Sequence, residues 1–87
     1  MSQIVFTEIG FEQYLYWQKQ DRKTLRKINR LLKSIEREGA MKGEGKPEKL
    51  TSRPGDYSRR IDEENRLVYQ VEQNRIIVLA CKGHYED

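Results

Sequence analysis

The chain has one histidine, His84, and one cysteine, Cys81, and both fall in its closing stretch LACKGHYED, residues 79–87. An imidazole is the side chain that gives and takes protons near neutral pH, so proton transfer is sought first at His84, with Tyr85 beside it. Groups able to share a reaction with them are Glu48, which lies between Lys46 and Lys49 in a glycine-rich segment, Arg59 and Arg60 in the run YSRRI, and Arg66, which opens RLVYQVE. A carboxylate, a guanidinium and an imidazole around one hollow are what cleavage of RNA by its own ribose 2′-hydroxyl requires. One group removes the hydroxyl proton, one protonates the departing 5′-oxygen, and a fixed cation stabilises the pentacoordinate phosphate.

Other chemistries are poorly supplied. A zinc or iron centre needs three or four clustered ligands, and one histidine with one cysteine cannot build it, so no metal or other cofactor is expected. Cys81 closes the apolar run IIVLAC. Three residues along an extended chain send Cys81 and His84 to opposite faces, so the thiol reads as a small buried apolar group rather than a nucleophile. A lone cysteine also excludes an intramolecular disulfide and suits a reducing compartment, the cytoplasm. GEGKPE has the glycine spacing of a phosphate cradle but lacks the helix that should follow it. The opening MSQIVFTEIG is no export signal, and no apolar run of about 18 residues occurs, so neither export nor a membrane span is expected.

Each candidate has a plainer reading. A histidine near a terminus is more often solvated than catalytic. Glu48 can be a loop charge held ionised by its lysine neighbours, Arg66 can pair with Glu63 or Glu64 at the surface, and a basic helix face is usually a solvated face. Composition and periodicity alone stop at a small basic α+β domain suited to a polyanion.

The 87 residues suffice for one domain, 1–87, with a single core. QIVF is a short strand, Thr7 caps a helix, and Phe11, Tyr14, Leu15 and Gln18 are expected on its inner side. Asp21 restarts a helix whose Leu25, Ile28, Leu31, Leu32 and Ile35 share one arc at about 100° per residue. Gly39 is placed to end it in the left-handed conformation. Residues 19–37 carry eight basic and two acidic side chains, against nine and twelve in the rest of the chain. That concentration, with Lys23, Arg26, Lys27 and Arg30 facing away from the apolar arc, suits an RNA surface met by one face. Residues 39–55 hold four of the six glycines and both prolines and read as a long loop. YSRRI, RLVYQVE and RIIVLACK follow as an antiparallel meander, the last as a central strand. The expected architecture is β-α-α-loop-β-β-β, with two helices packed on one face of a small, mainly antiparallel sheet.

The ordered set YLYWQ, KIN, GEGKPEKL, SRRI, EENRLVY and AC-x-x-HY resembles the YoeB/Txe branch of the RelE-like bacterial toxins over nearly the whole chain. The resemblance implies a ribosome-dependent endoribonuclease that cuts mRNA in the ribosomal A site without a metal and is neutralised by a cognate antitoxin of the YefM/Axe kind. By position, Glu48 matches the general base, His84 the general acid, Arg66 the phosphate-stabilising arginine, Tyr85 the penultimate tyrosine and Arg60 a second arginine at the phosphate. Arg59, Lys46 and Lys49 are expected to add phosphate contacts. Lys23, Arg26, Lys27 and Arg30 are expected to meet ribosomal RNA. The family further implies DNA binding only as the toxin–antitoxin complex, and a homodimer for which Trp17 and its tyrosine neighbours are candidate contacts. Thr51 stands where relatives often carry lysine, with Lys49 as its substitute. Gly83 replaces a bulkier residue and predicts a looser tether for His84. Glu86 and Asp87 extend beyond the usual end, near enough to raise the histidine's pKa.

Two other classes remain open from these residues: a non-catalytic inhibitor that stalls translation by occupying the ribosome, and a co-repressor that acts only on DNA with its partner. Toxicity that survives His84→Ala marks the first. Absence of both toxicity and RNA cleavage marks the second.

Overall fold

In the computed structural model of the chain, which describes residues 2–84, the elements run β1 (Gln3–Phe6), α1 (Glu8–Gln20), α2 (Arg22–Glu38), β2 (Glu48–Lys49), β3 (Tyr57–Arg60), β4 (Arg66–Glu72) and β5 (Arg75–Ala80). Among the described residues the five strands form one sheet, ordered β1-β5-β4-β3-β2. The three late strands make the expected meander, and β1 lies parallel to β5, which is thereby central. None of the described helices is long and apolar enough to cross a membrane.

The basic segment folds as its periodicity demands. Ile28, Leu31, Leu32 and Ile35 of α2 are buried and pack with Leu67, Tyr69, Ile76 and Val78 from the sheet. Burying such a side chain is worth about 1.5–3 kcal/mol, so α2 is held by this stripe rather than by helix propensity. Asp21 serves both helices. Its N–H donates to the Trp17 carbonyl at 2.9 Å, and its carboxylate accepts from the N–H groups of Lys23 and Thr24.

Helix α1 is turned differently from the expectation. Phe11 and Leu15 are exposed, and the inward residues are Gly10, Gln13, Tyr14 and Trp17. The reason lies at Gly10, where a Cβ would come within 2.4 Å of the Val78 carbonyl oxygen. Only glycine lets the helix lie this close to β5, and that contact selects the buried face in place of the largest apolar arc.

The glycine-rich segment is more ordered than a plain loop. It contains β2, which pairs with β3, and it is wrapped around Arg59. Arg59 is fully buried, and its guanidinium donates to the carbonyls of Gly39, Lys42 and Glu44, to Ser34 Oγ and to Tyr69 Oη, at 2.6–3.0 Å. Gly39 ends α2 at positive φ as expected, but its ψ of −179° carries the chain straight out rather than into a left-handed turn.

Successive strand residues face opposite ways. Leu67 and Tyr69 face the helices, whereas Val68 joins Leu50 and Ala80 in a small apolar cluster on the other face. Tyr69 pairs with Val78 but Val68 with Ala80, leaving Leu79 as the extra residue of a bulge near the end of β5.

Candidate active site

The candidate site lies on the helix-free face, where β2, β3 and β4 meet the end of β5. Glu48 pairs with Ser58, Ser58 with Val68 and Val68 with Ala80, so one cross-strand row carries Glu48 over the cluster of Leu50, Val68 and Ala80. The next row holds Arg60 opposite Arg66. Glu48 Oε1 stands 3.7 Å from Arg66 Nη1, with the arginine side chain 12% exposed and the glutamate 60%. That separation is too long for a hydrogen bond, and such a pair is easily displaced by a better anion. The Arg66 Nε is buried with no hydrogen-bond partner among the described residues. Arg66 is thus a rooted cation whose donors are not all taken up by the protein.

His84 is brought to this place by its predecessors. Gln13 Oε1 accepts from the N–H groups of Cys81 and Lys82 at 2.6 and 3.1 Å, and the Trp17 indole N–H donates to the Cys81 carbonyl at 2.8 Å. Gly83 donates its N–H to Asn65 Oδ1 at 2.9 Å and accepts from the Arg66 N–H at 2.9 Å. His84 follows directly and is exposed. The tether is therefore not loosened at Gly83. Its φ of +96° is a conformation that glycine adopts without strain, and both its peptide groups are engaged. Tyr85, Glu86 and Asp87 lie outside the described residues.

A carboxylate and a guanidinium in contact, with the peptide before the lone imidazole bonded to the arginine's own backbone, form one constellation drawn from β2, β4 and the segment that follows β5. The family of YoeB-like toxins of bacterial type II toxin–antitoxin systems is matched from residue 6 to residue 85. The chain belongs to this family. The toxin YoeB of Escherichia coli (strain K12) is 42% identical over 83 residues, which cover 94% of this chain and 98% of that protein. The YoeB dimer structure from Staphylococcus aureus matches with 54% identity and a TM-score of 0.93, covering 97% of this chain and 98% of that one. The heterotetrameric YoeB–YefM toxin–antitoxin complex from the same organism matches with 52% identity and a TM-score of 0.90, covering 98% and 99%.

Around the central trio of this YoeB-like chain, the remaining candidates divide. Lys46 and Arg60 line one hollow of about 390 Å³ together with Lys27, Gly45 and Ile61. The Arg60 N–H, bonded to the Gly45 carbonyl at 2.6 Å, holds the glycine-rich segment there. Lys23, Lys27 and Arg30 line a neighbouring hollow of about 400 Å³, and Arg26 is exposed on the same helix. Arg59 does not join Arg60 and Arg66 on the helix-free face. It alternates with Arg60 along β3, so it points into the core, where its donors hold the loop. Lys49 is not brought to Glu48 either, because it pairs with Tyr57, whose ring stacks on Tyr69 on the helix side.

Cys81 is fully buried, and burial pushes its thiol up to about 12, which leaves it inert as a nucleophile at neutral pH. Trp17 is also buried, which removes it from the expected contact surface. Two contributions escaped the sequence reading. One is Gln13, a polar residue on the inner face of α1. The other is Glu44, whose carboxylate bonds both Lys27 and Arg30 and is thereby held down at about 2. The signal for Gln13 was its place between Gly10 and Tyr14 on the helical face that includes Trp17.

Proposed function

We propose that this YoeB-like toxin is a ribosome-dependent endoribonuclease that cleaves mRNA at the A-site codon and so stops translation. The reading rests chiefly on one observation: Arg66 contacts Glu48 through its guanidinium and Gly83 through its backbone, so the carboxylate, the cation and the residue preceding His84 converge on one open sheet face.

The chemistry follows from these groups. Carboxylates as a class are ionised at neutral pH and start in the base form, whereas imidazole carries a transferable proton there. Glu48 takes the proton from the ribose 2′-hydroxyl, whose oxygen bonds to phosphorus as the P–O5′ bond breaks. His84 protonates the leaving 5′-oxygen. Arg66, with Arg60 on the adjacent strand, stabilises the charge that builds on the phosphate. The products are a 2′,3′-cyclic phosphate and a 5′-hydroxyl end, and no step draws on a metal.

The basic face of α2, through Lys23, Arg26, Lys27 and Arg30, meets ribosomal RNA, and Lys46 extends the contact toward the message. By similarity to the Staphylococcus aureus pair, the neutralising partner is an antitoxin of the YefM kind. DNA is bound only by that complex, and the free toxin forms a homodimer in the cytoplasm. The exposed Ile9, Phe11, Leu15 and Tyr16, rather than Trp17, are the apolar residues of α1 available for such contacts.

The test is to map new RNA 5′ ends after adding the purified protein to a translating extract and, separately, to naked mRNA. Cuts at the A-site codon that require ribosomes are expected. Translation blocked without cuts would replace the enzyme by an occupancy inhibitor.

A further inference from the structure

We infer that Asn65 and Asp62 are positioning residues for His84, an assignment that rests on reading His84 as the proton-transfer group. The turn between β3 and β4 is closed on itself. Asp62 Oδ1 accepts from the N–H groups of Glu64 and Asn65 at 2.8 Å each, and the Asn65 carbonyl accepts from the N–H groups of Ile61 and Asp62 at 3.0 and 3.3 Å. The Asn65 amide nitrogen donates to both carboxylate oxygens of Asp62, at 3.1 and 3.2 Å. An amide has one donor end and one acceptor end. With the donor end turned to Asp62, the acceptor end is left facing Gly83, whose N–H it takes at 2.9 Å.

Gly83 is therefore gripped at two points by consecutive residues, its N–H by the Asn65 side chain and its carbonyl by the Arg66 backbone. The first grip sets rotation about a residue with no Cβ and a φ of +96°, one peptide before the imidazole. Releasing it lets His84 swing while Arg66 and Glu48 stay where β4 and β2 hold them. The consequence is a split: the rate of cleavage falls and the affinity for the loaded ribosome does not.

The experiment uses the full chain with Asn65→Ala, Asn65→Asp and the exchanged pair Asp62→Asn with Asn65→Asp. The exchange keeps one carboxylate and one amide but swaps their places, whereas Asn65→Asp alone sets two carboxylates against each other. Two readouts are taken: amide hydrogen exchange at Gly83 by NMR in the free protein, and single-turnover cleavage on programmed ribosomes across ribosome concentrations. In both single variants Gly83 is expected to exchange faster and the maximal rate to fall about tenfold or more, with half-saturation within about twofold of wild type. The exchanged pair is expected to recover most of both. Unchanged Gly83 exchange in Asn65→Ala, an unchanged rate despite faster exchange, or a rate that stays low in the exchanged pair with Gly83 again protected would each overturn the assignment. A wild-type chain that cleaves nothing overturns the proposed function itself and is recognised apart, because Gly83 exchange still reports on the grip.

Discussion

The backbone N–H of Arg66 donates to the carbonyl of Gly83 at 2.9 Å, joining the start of β4 to the segment that leads into His84. The residue proposed to hold the phosphate thus also holds the peptide before the proposed proton donor. Gly83→Ala meets no atom within 4 Å of the added Cβ, so its effect is conformational and not steric. A global stability loss of about 1–2 kcal/mol or less is expected in urea melts, alongside a larger proportional loss of RNA cleavage.

Trp17→Phe leaves the Cys81 carbonyl without its indole donor in a buried place. A loss of about 1–3 kcal/mol in chemical denaturation, followed by circular dichroism, is expected. Gln13→Ala releases the N–H groups of Cys81 and Lys82 and is expected to speed their hydrogen exchange before it affects that of α2.

Arg59 and Arg60 are neighbours with opposite fates. Arg59→Ala leaves three loop carbonyls and two hydroxyls without their common donor. It is expected to cost about 3–5 kcal/mol, and Arg59→Lys should not restore it, because an ammonium cannot reproduce the planar fork. Arg60→Ala is expected to leave the free energy of unfolding within about 0.5 kcal/mol of wild type while weakening cleavage. Melts and cleavage assays on the two variants check both halves.

Glu44 is a built-in counter-anion on the basic face. Its folded pKa lies at about 2 against an ordinary value of 4.5, first through its hydrogen bond with Arg30 and then through that with Lys27. The folded state therefore binds the proton less readily than the unfolded one. Its contribution is complete above the ordinary value and is lost as pH falls from about 4.5 to about 2. Solvent exposure limits the contribution to at most about 1 kcal/mol. Glu44→Gln is expected to flatten that part of the pH–stability curve and, by freeing Lys27 and Arg30, to steepen the salt dependence of RNA binding.

Changing Lys23, Arg26 and Lys27 together to glutamate is expected to abolish ribosome co-sedimentation with the far-ultraviolet spectrum unchanged. Retained ribosome binding would remove α2 from the interface.

Much of this was legible because the pattern and the packing agree. Leu25 to Ile35 repeats at helical spacing and is what packs on the sheet, and IIVLAC is apolar on both faces because β5 lies between β1 and β4. Glu48, Arg66 and His84 were named from residue type and motif, and a meander that lays the end of its last strand beside the start of a neighbour made their convergence an expectation, but the anchoring of the segment before His84 was not legible. It depends on pairings such as Cys81 with Gln13, separated by 68 positions, which no local pattern encodes. The face of α1 was misread because its inward residues include a glycine and a glutamine, chosen for close approach and hydrogen bonding rather than hydropathy. Arg59 was misread because two adjacent arginines look alike until strand alternation is tied to a particular core.

The most direct measurement of the central claim is to place a defined codon in the A site of purified ribosomes, add wild-type, Glu48→Gln, Arg66→Ala or His84→Ala protein, and identify the RNA ends formed. The wild type should yield a 2′,3′-cyclic phosphate and a 5′-hydroxyl, with each variant slowed by about a hundredfold or more while the Glu48 and His84 variants still bind the ribosome. Wild-type speed in the His84 variant, or ends of any other chemistry, would contradict the account.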